Sequence, residues 1–353
     1  MSPRAPRDTA GAPTINDVAR RAGVSKGLVS LVVNDRPGVA PATRERVRRA
    51  AEELAWRPHV PARTLSTQTS YALGFVLRRD PLIVAADPFF PAFMAGVESV
   101  LAEEGRVLVL SVVGDEAGEE RAYRTLAEDH RVDGVFLTDL RHADRRVGLL
   151  RRLGVPAVLV GRLDGSTPFP SVILDDAAGV AAAVDHLVGL GHRDLAYVAG
   201  DPALLHARHR RQAFEDAVTA HGLTSAAIVD TDFTMAAGAE ATAALLRRPR
   251  RPTAVVYAND PMAIAGLGVL QEAGLDVPGE MSVVGFDGTE LARHTHPSLT
   301  TIRSDPQQWG ATAARTLLAL AATGSAEDVE LPAARLVPAG STGPAHPSPP
   351  NAT

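Results

Sequence analysis

A chain of 353 residues, 45% of them hydrophobic and with a formal net charge of −5, can bury the core of one large two-lobed domain and still spare a small head. Cysteine is absent, which rules out disulfides and thiolate metal sites and suits the cytoplasm; no run of about 18 apolar residues is there to span a bilayer. The charge is unevenly spread. Residues 1–66 hold twelve Lys and Arg against six Asp and Glu, the remainder 24 against 35, so a basic head is joined to an acidic body, the footprint of a module that meets phosphate.

Residues 1–13 contain arginine but no apolar core segment, so they are expected to form a disordered arm and not a secretion signal. From Thr14 the spacing changes. Ile15, Val18, Ala19 and Ala22 recur at i, i+3, i+4 and i+7, and Thr14 with Asp17 makes a capping-box-like start. Gly23 can end this helix, Val24 can plug the corner, and Ser25 can cap a second helix that turns Leu28, Val29 and Val32 inward. Lys26, Gly27, Ser30 and Leu31 are left facing out. Two helices around a short glycine turn form a helix-turn-helix, whose second helix presents its N-terminal residues to base edges. A third helix is predicted from Pro41, burying Val47, Ala51 and Leu54 and exposing Arg44, Arg46, Arg48 and Arg49. The stretch WRPHVPARTLSTQTS then reads as a linker with one helical turn over residues 61–65.

From Tyr71 onward short Val/Leu/Ile runs alternate with Ala-rich amphipathic segments. YALGFVL, VLVLSVV, VDGVFLT, PAVLVGR, DLAYVAG, TAVVYAN and MSVVGFD read as strands. Continuous apolar strands separated by helices imply an α/β fold with parallel sheets covered on both faces, here two Rossmann-like lobes with ligand sites at the carboxyl ends of strands.

The stretches TINDVARRAGVS, VSLVVN, PATRERVRRAAEEL, WRP and ARTL resemble the DNA-binding head and hinge of the LacI/GalR family of bacterial repressors. The resemblance continues to about residue 338 through DPFFPAFMAGVESVLAEEG, VLVGR, HLVGLGHRDLAYVAG, AND, SVVGFDGTELA and PSLTTIRSD. It implies a head over 14–58, a hinge over 59–70, and an effector-binding and dimerisation domain of the periplasmic-binding-protein type over 71–338. The first lobe would take about 71–170 with 303–325, and the second 171–300 with 326–338. A flexible tail over 339–353 is rich in Pro, Ala and Ser and lacks the leucine heptad of a tetramer-forming coil.

On the DNA side the resemblance implies contacts from Thr14, Ser25, Lys26, Gly27, Ser30, Leu31, Asn34, Arg63 and Leu65. Leu65 occupies the position of a leucine that wedges into the minor groove at the operator centre, where unstacking is offset by the wider contact that bending allows. Arg63 would reach phosphate or the groove floor, and Trp56 would pack beneath the hinge. Leu31 stands where relatives usually carry an arginine able to fork onto guanine. Lys26, the single lysine of the chain, is then the best candidate for a base-edge contact, while Ser25 and Ser30 suit phosphate or capping.

On the ligand side the resemblance carries an arginine to Arg210, with Arg208 and Arg211 as competing registers, and polar positions to Asn259 and Asp287. Arg162 joins them from VLVGR. Arginine, amide and carboxylate at strand ends suit a polyhydroxylated ligand, because each forks hydrogen bonds to adjacent hydroxyls. Phe89, Phe90 and Phe233 could supply an aromatic face, although Phe89 and Phe90 serve equally as lobe core. Gly161 and Pro306 replace an aspartate and an aromatic ring found in relatives, so the pocket would lack one carboxylate and one ring.

No catalytic residue, metal or cofactor is expected. Asp175 and Asp176 are neighbours that should point apart, His186, His192, His206 and His209 lack metal-ligand spacing, and Gly266 and Gly268 lack a dinucleotide fingerprint. The expected partners are a palindromic operator, a second copy of the chain and a small effector, with no membrane. Two alternatives are a sugar-binding module without DNA control, and a regulator that answers a non-sugar corepressor.

Overall fold

The computed structural model describes residues 13–33, 36–56, 69–223 and 226–345. Two compact units divide after Tyr71, and each is treated by itself. Asn34, Arg63, Leu65, the expected hinge turn at 61–65, and the far ends of the arm and tail lie outside the described residues.

The first unit contains α1 (Ile15–Ala22), α2 (Lys26–Val33) and α3 (Pro41–Glu53). Asp17 Oδ2 accepts from the Thr14 backbone N–H at 2.9 Å and from its hydroxyl at 2.7 Å. Gly23, at φ 65°, ends α1 in the left-handed region that glycine tolerates. Ser25 Oγ accepts from Leu28 N–H at 3.2 Å and caps α2. Val18, Ala19, Ala22, Val29, Val32, Val47 and Ala50 close the core, with Ile15, Val24 and Leu28 packed on it. Ala50 is buried where Ala51 was expected; Ala51 and Leu54 sit on the flank, and Trp56 packs on this three-helix core. Arg46 Nε donates to the Ala22 carbonyl at 3.1 Å and Arg21 Nε to Glu53 at 2.7 Å, so two of the head's arginines hold helices together.

In the second unit the described residues form two six-stranded sheets. The first sheet comprises β1 (Ala72–Arg78), β2 (Val107–Val113), β3 (Val135–Leu137), β4 (Ala157–Val160), β5 (Ser171–Ile173) and β11 (Val329–Glu330), in the order β11-β5-β4-β3-β1-β2. The second comprises β6 (Leu195–Ala199), β7 (Ala226–Asp230), β8 (Ala254–Tyr257), β9 (Ser282–Asp287), β10 (Thr300–Arg303) and β12 (Arg335–Val337), in the order β12-β10-β9-β8-β6-β7. Strands pair in parallel except β12, antiparallel to β10.

Both faces of the first sheet are covered. Phe75 and Phe136 face a core closed by α5 (Phe89–Glu103), which follows the short α4 (Pro81–Ala86), and by α12 (Pro306–Thr323), while Val76, Val135 and Leu137 face another closed by α6 (Glu116–Glu128) and α7 (Arg145–Leu153). Gly96 and Gly310 let α5 and α12 touch backbone to backbone: a Cβ on Gly310 would fall inside the Phe93 carbonyl oxygen, and one on Gly96 inside that of Gln307. β2, at the sheet edge, departs from the continuous burial expected, leaving Val107, Leu110 and Val112 exposed. The second sheet is covered by α8 (Asp176–Gly189), α9 (Leu205–Ala220), α10 (Met235–Leu246) and α11 (Asp260–Glu272).

The lobe boundaries fall slightly off the expected ones. β5 and β11 extend the first sheet, because Leu331 N–H donates to the Ile173 carbonyl and Val329 pairs with Val172. The chain therefore passes between lobes after β5, after β10 and after β11. The tail also starts later than residue 339. Ser341 Oγ donates to the Val283 carbonyl at 2.6 Å, Thr300 N–H donates to Ser341 Oγ at 2.8 Å, and Ala345 N–H donates to the Leu190 carbonyl at 2.9 Å. Small hydroxyl side chains here complete backbone hydrogen bonds at the sheet edge, which composition read as flexibility. His192 is part of the same seam, bonded to Thr253, Ser282 and the Gly343 carbonyl at 2.9–3.0 Å. Among the described residues no helix is long and apolar enough to cross a membrane.

Candidate functional site

In the first unit, Lys26, Gly27 and Leu31 stand exposed along α2, with Leu31 at 41%, and Ser30 is half-buried between them. A Cβ added at Gly27 would meet open space beyond Ser25 Oγ at 3.9 Å, so the bare surface expected there is real. Thr14 and Ser25 serve the helix starts as described above. No acidic side chain occupies the first turn of α2, and Lys26 places a positive charge at the positive end of the helix dipole, a position that disfavours it until an anion approaches.

In the second unit, a cleft of about 550 Å³ opens between the lobes where strands of both sheets end. Phe89, Phe90, Arg162, Arg210, Phe233, Asn259 and Asp287 all line it. Of the three arginines in ARHRRQ, Arg210 is the one inside, at 8% exposure; Arg211 pairs outside the cleft with Glu215 and Asp230, and Arg208 is exposed.

Arg210 Nε donates to Asp176 Oδ2 at 2.7 Å and Nη1 to the Ala258 carbonyl at 3.0 Å, with the guanidinium 3.6 Å from the centre of the Phe286 ring. Burial works against its charge, and Asp176 and Asp287 more than reverse this. Opposite, Arg79 at the end of β1 forks onto Asp139 at the end of β3, at 2.7 and 2.8 Å. Burial would raise the Asp139 carboxyl, but Arg79 outweighs it and holds the group down to about 2. Arg79 lies over Phe90 at 5.9 Å and over Phe233 at 5.6 Å, reaching rings of both lobes.

Asp287 ends β9 at φ 115°, a conformation costly for any residue but glycine. Burial, then Asp87 and Asp260, push its carboxyl well above the ordinary range, so it keeps its proton longer and can donate as well as accept. Asp87, raised by burial, faces it from the first lobe. Asp260, pushed up to about 6 by burial, holds the turn after β9 by accepting from Thr289 N–H at 2.8 Å and from the Thr301 hydroxyl at 2.6 Å. Asn259 caps α11 through Met262 N–H at 2.9 Å and donates to the Phe233 carbonyl at 3.0 Å, so most of its amide serves the protein. Gly200 leaves room for the Phe233 ring, which a Cβ there would penetrate. Burial and then Arg210 pull His206, its ring tilted against Phe233 at 5.4 Å, down to about 3, so it is neutral at pH 7. Arg162 is at the rim, paired with Glu330 at 3.0 Å.

Sequence reading missed Arg79, Asp87, Asp139, Asp176 and Trp309 as cleft residues. Arg79 and Asp139 directly follow apolar strands, the signal already used for Asn259 and Asp287. Asp175 and Asp176 do point apart: Asp175 caps α8 through Ala177 and Ala178 N–H, and Asp176 turns to Arg210. Nor does the pocket lack a ring and a carboxylate. Trp309, one turn after Pro306, stands edge-on to Phe89 at 5.9 Å with its indole N–H on the Val172 carbonyl, and Asp87, Asp139 and Asp176 supply carboxylates absent at Gly161. Phe90 is core as well as wall, buried against Phe89 at 5.4 Å. Two buried polar atoms on the lining, Thr138 Oγ1 and Asp176 Oδ1, have no hydrogen-bond partner among the described residues. A smaller apolar cavity of about 240 Å³, walled by Leu82, Ile83 and Met235, shares Asp87, Phe233 and Asn259 with the cleft. Among the described residues no group of three His, Asp or Glu side chains is placed to hold a metal ion.

A helix-turn-helix in the same chain as two sheets facing a polar cleft defines a DNA-binding regulator with its own ligand-binding body. Residues 14–59 match the family model for bacterial regulatory proteins of the lacI family, and residues 184–342 match the periplasmic binding protein-like domain. The chain is 35% identical over 310 residues to the HTH-type transcriptional regulator CelR of Thermobifida fusca, covering 87% of this chain and 91% of that protein. The structure of a CelR–cellobiose complex matches with TM-score 0.72 and 32% identity over 93% of this chain and 99% of the other. The lac repressor dimer bound to operator and the anti-inducer ONPF matches with TM-score 0.83 and 29% identity over 94% and 100%. The chain belongs to the LacI family of bacterial regulatory proteins.

Proposed function

We propose that this protein is a transcriptional repressor of sugar-uptake or catabolic genes that binds a palindromic operator as a homodimer in the cytoplasm and takes a neutral sugar in its cleft. The cleft's charge balance carries the choice of ligand: Asp87, Asp139, Asp175, Asp176 and Glu330, beside an Asp287 held toward its protonated form, outnumber Arg79, Arg162 and Arg210. An anionic ligand would meet net repulsion, whereas a polyol can pair its hydroxyls with arginine, carboxylate and the unpartnered oxygens of Thr138 and Asp176. Phe89, Trp309 and Phe233 offer rings to the apolar face of a sugar. The cellobiose of the CelR complex has these properties, and the cleft volume lies within the usual range for small-molecule sites.

Control follows from linkage. A ligand that contacts both lobes favours one lobe arrangement, and if operator-bound dimers favour another, each ligand weakens the other by the same factor. On the DNA side, Lys26 reads a base edge, Leu31 offers apolar contact to a thymine methyl, Arg63 contacts phosphate or the groove floor, and Leu65 wedges the operator centre. The test is fluorescence anisotropy of the full-length protein on palindromes from the DNA flanking its gene, titrated with cellobiose and other neutral sugars. Release of DNA by one neutral sugar, with no effect of its phosphate ester, is expected. Response only to an anionic compound, or tighter DNA binding with a non-sugar ligand, would replace this reading with corepressor control.

A further inference from the structure

The segment 138–146 gives Thr138 and Asp139 to the cleft and Arg141, Arg145 and Arg146 to a separate cavity of about 380 Å³ within the first lobe. There, five arginines (Arg78, Arg141, Arg145, Arg146 and Arg152) line the wall against four carboxylates. Two of those carboxylates are spoken for: Asp144 takes Arg146 on both oxygens at 2.9 and 2.6 Å, and Glu120 takes Arg124 from outside the cavity at 2.7 Å. Glu119, buried, accepts from Arg146 at 3.1 Å, while Arg141 and Arg78 each stand 3.6 Å away. Arg145 approaches Glu116 only to 3.6 Å. Thus the guanidinium groups of Arg78, Arg141 and Arg145 make no side-chain hydrogen bond among the described residues, although each bears five N–H donors. Tyr123, at 1% exposure, lines the same cavity, and its hydroxyl too has no partner among the described residues. Burial and the crowding of Arg146 pull the Arg141 guanidinium below its ordinary pKa, against the opposing pull of Glu119.

We infer that this cavity is a second ligand site, for a phosphate-type oxyanion, held by Arg78, Arg141 and Arg145. The ligand is inorganic phosphate or the phosphate end of a small metabolite. Three guanidinium groups lining one cavity can together meet the tetrahedral oxygens of phosphate, and the arginine-rich wall attracts the anion that the acidic cleft repels. The site is joined to the cleft by one side chain and one backbone pairing. Arg146 Nη2 donates to the carbonyls of Thr138 and Asp139, both at 2.9 Å, and the backbone of Arg141 bridges to Leu204 of the second lobe, beside Leu205 N–H on the Leu140 carbonyl at 2.8 Å. An anion drawing on Arg141 therefore acts on a segment that touches both lobes, and its binding shifts the affinity of the cleft ligand; that coupling rests on the sugar-binding reading above.

The site itself is tested without sugar, by thermal shift of the full-length protein titrated with inorganic phosphate and with glycerol phosphate, against potassium chloride at matched ionic strength. A saturable rise is expected, with apparent affinity about tenfold weaker or worse in Arg141→Gln and in Arg145→Gln. Arg145, 90% exposed, provides a variant whose folding is not in question. A larger response to the monoester identifies a metabolite as the source, and an equal one free phosphate. No saturable rise with either compound, or a rise unchanged in both variants, overturns the site. A cellobiose affinity that phosphate leaves unchanged, with phosphate bound, overturns the coupling alone.

Discussion

Arg210 and Asp176 form a buried ion pair in which only one carboxylate oxygen is used: Oδ2 accepts from Nε at 2.7 Å, and Oδ1, on the cleft lining, is left without a partner among the described residues. The pair is therefore half of a hydrogen-bonding array that a ligand would complete. Arg210→Ala is expected to abolish the sugar response and to strand Asp176, lowering stability by about 3 kcal/mol. Asp176→Asn, which keeps the shape without the charge, should weaken sugar binding by about 10–100-fold with a smaller loss of stability. Calorimetric titration beside thermal melts separates the two effects; a normal sugar affinity in both variants would sink the assignment.

Lys26 sits on the first turn of α2, where a cation is disfavoured by the helix dipole. Lys26→Ala should relax preference at one symmetric pair of operator positions by about 1–3 kcal/mol. Selection of binding sites from a randomised palindrome reads this directly. A uniform loss on all sequences, with a shallower salt dependence, would make Lys26 a phosphate contact.

Two glycines give opposite outcomes for the same substitution. Gly310→Ala drives a methyl into the Phe93 backbone and should cost about 2–3 kcal/mol, because neither helix can yield without opening the first lobe. Gly268→Ala, on α11 with open space around it, should stabilise by up to about 1 kcal/mol. Urea melts of both variants test the close contact, and equal effects would contradict it.

Burial holds His192 below its ordinary value of 6.5. The unfolded chain then takes up the proton first as pH falls, so the stability linked to this group is complete above about pH 6.5 and declines below it. His192→Gln should lower the melting temperature at pH 7.5 and flatten its decline toward pH 5. An unchanged slope between wild type and variant would show that another group titrates.

Helix starts and strand order were legible because they depend on local rules: a capping side chain, a glycine turn, a run of β-branched residues. Arg210 was legible only through family resemblance, Asn259 and Asp287 through resemblance together with their place after apolar strands, and their shared cleft could not be read from spacing because they come from different elements. Asp176 was missed as a cleft residue because its partner, Arg210, lies on α9, far along the chain. Trp309 was missed because the ring expected at Pro306 is supplied one helical turn later. The arginine cavity depends on α6, α7 and the end of β1 meeting in space, which no pattern along the chain announces.

The contact of Gly310 with the Phe93 backbone also bears on the order in which the protein can be made. The first lobe begins at β1, yet its core is closed by α12 and its sheet by β11, on the order of two hundred residues later. During synthesis the head, whose three helices are contiguous, can fold as soon as it emerges, while Phe93, Val97 and their neighbours wait with an open face until nearly the whole chain is out. Truncation near the C-terminus should therefore leave a nascent regulator with a competent head and an aggregation-prone body.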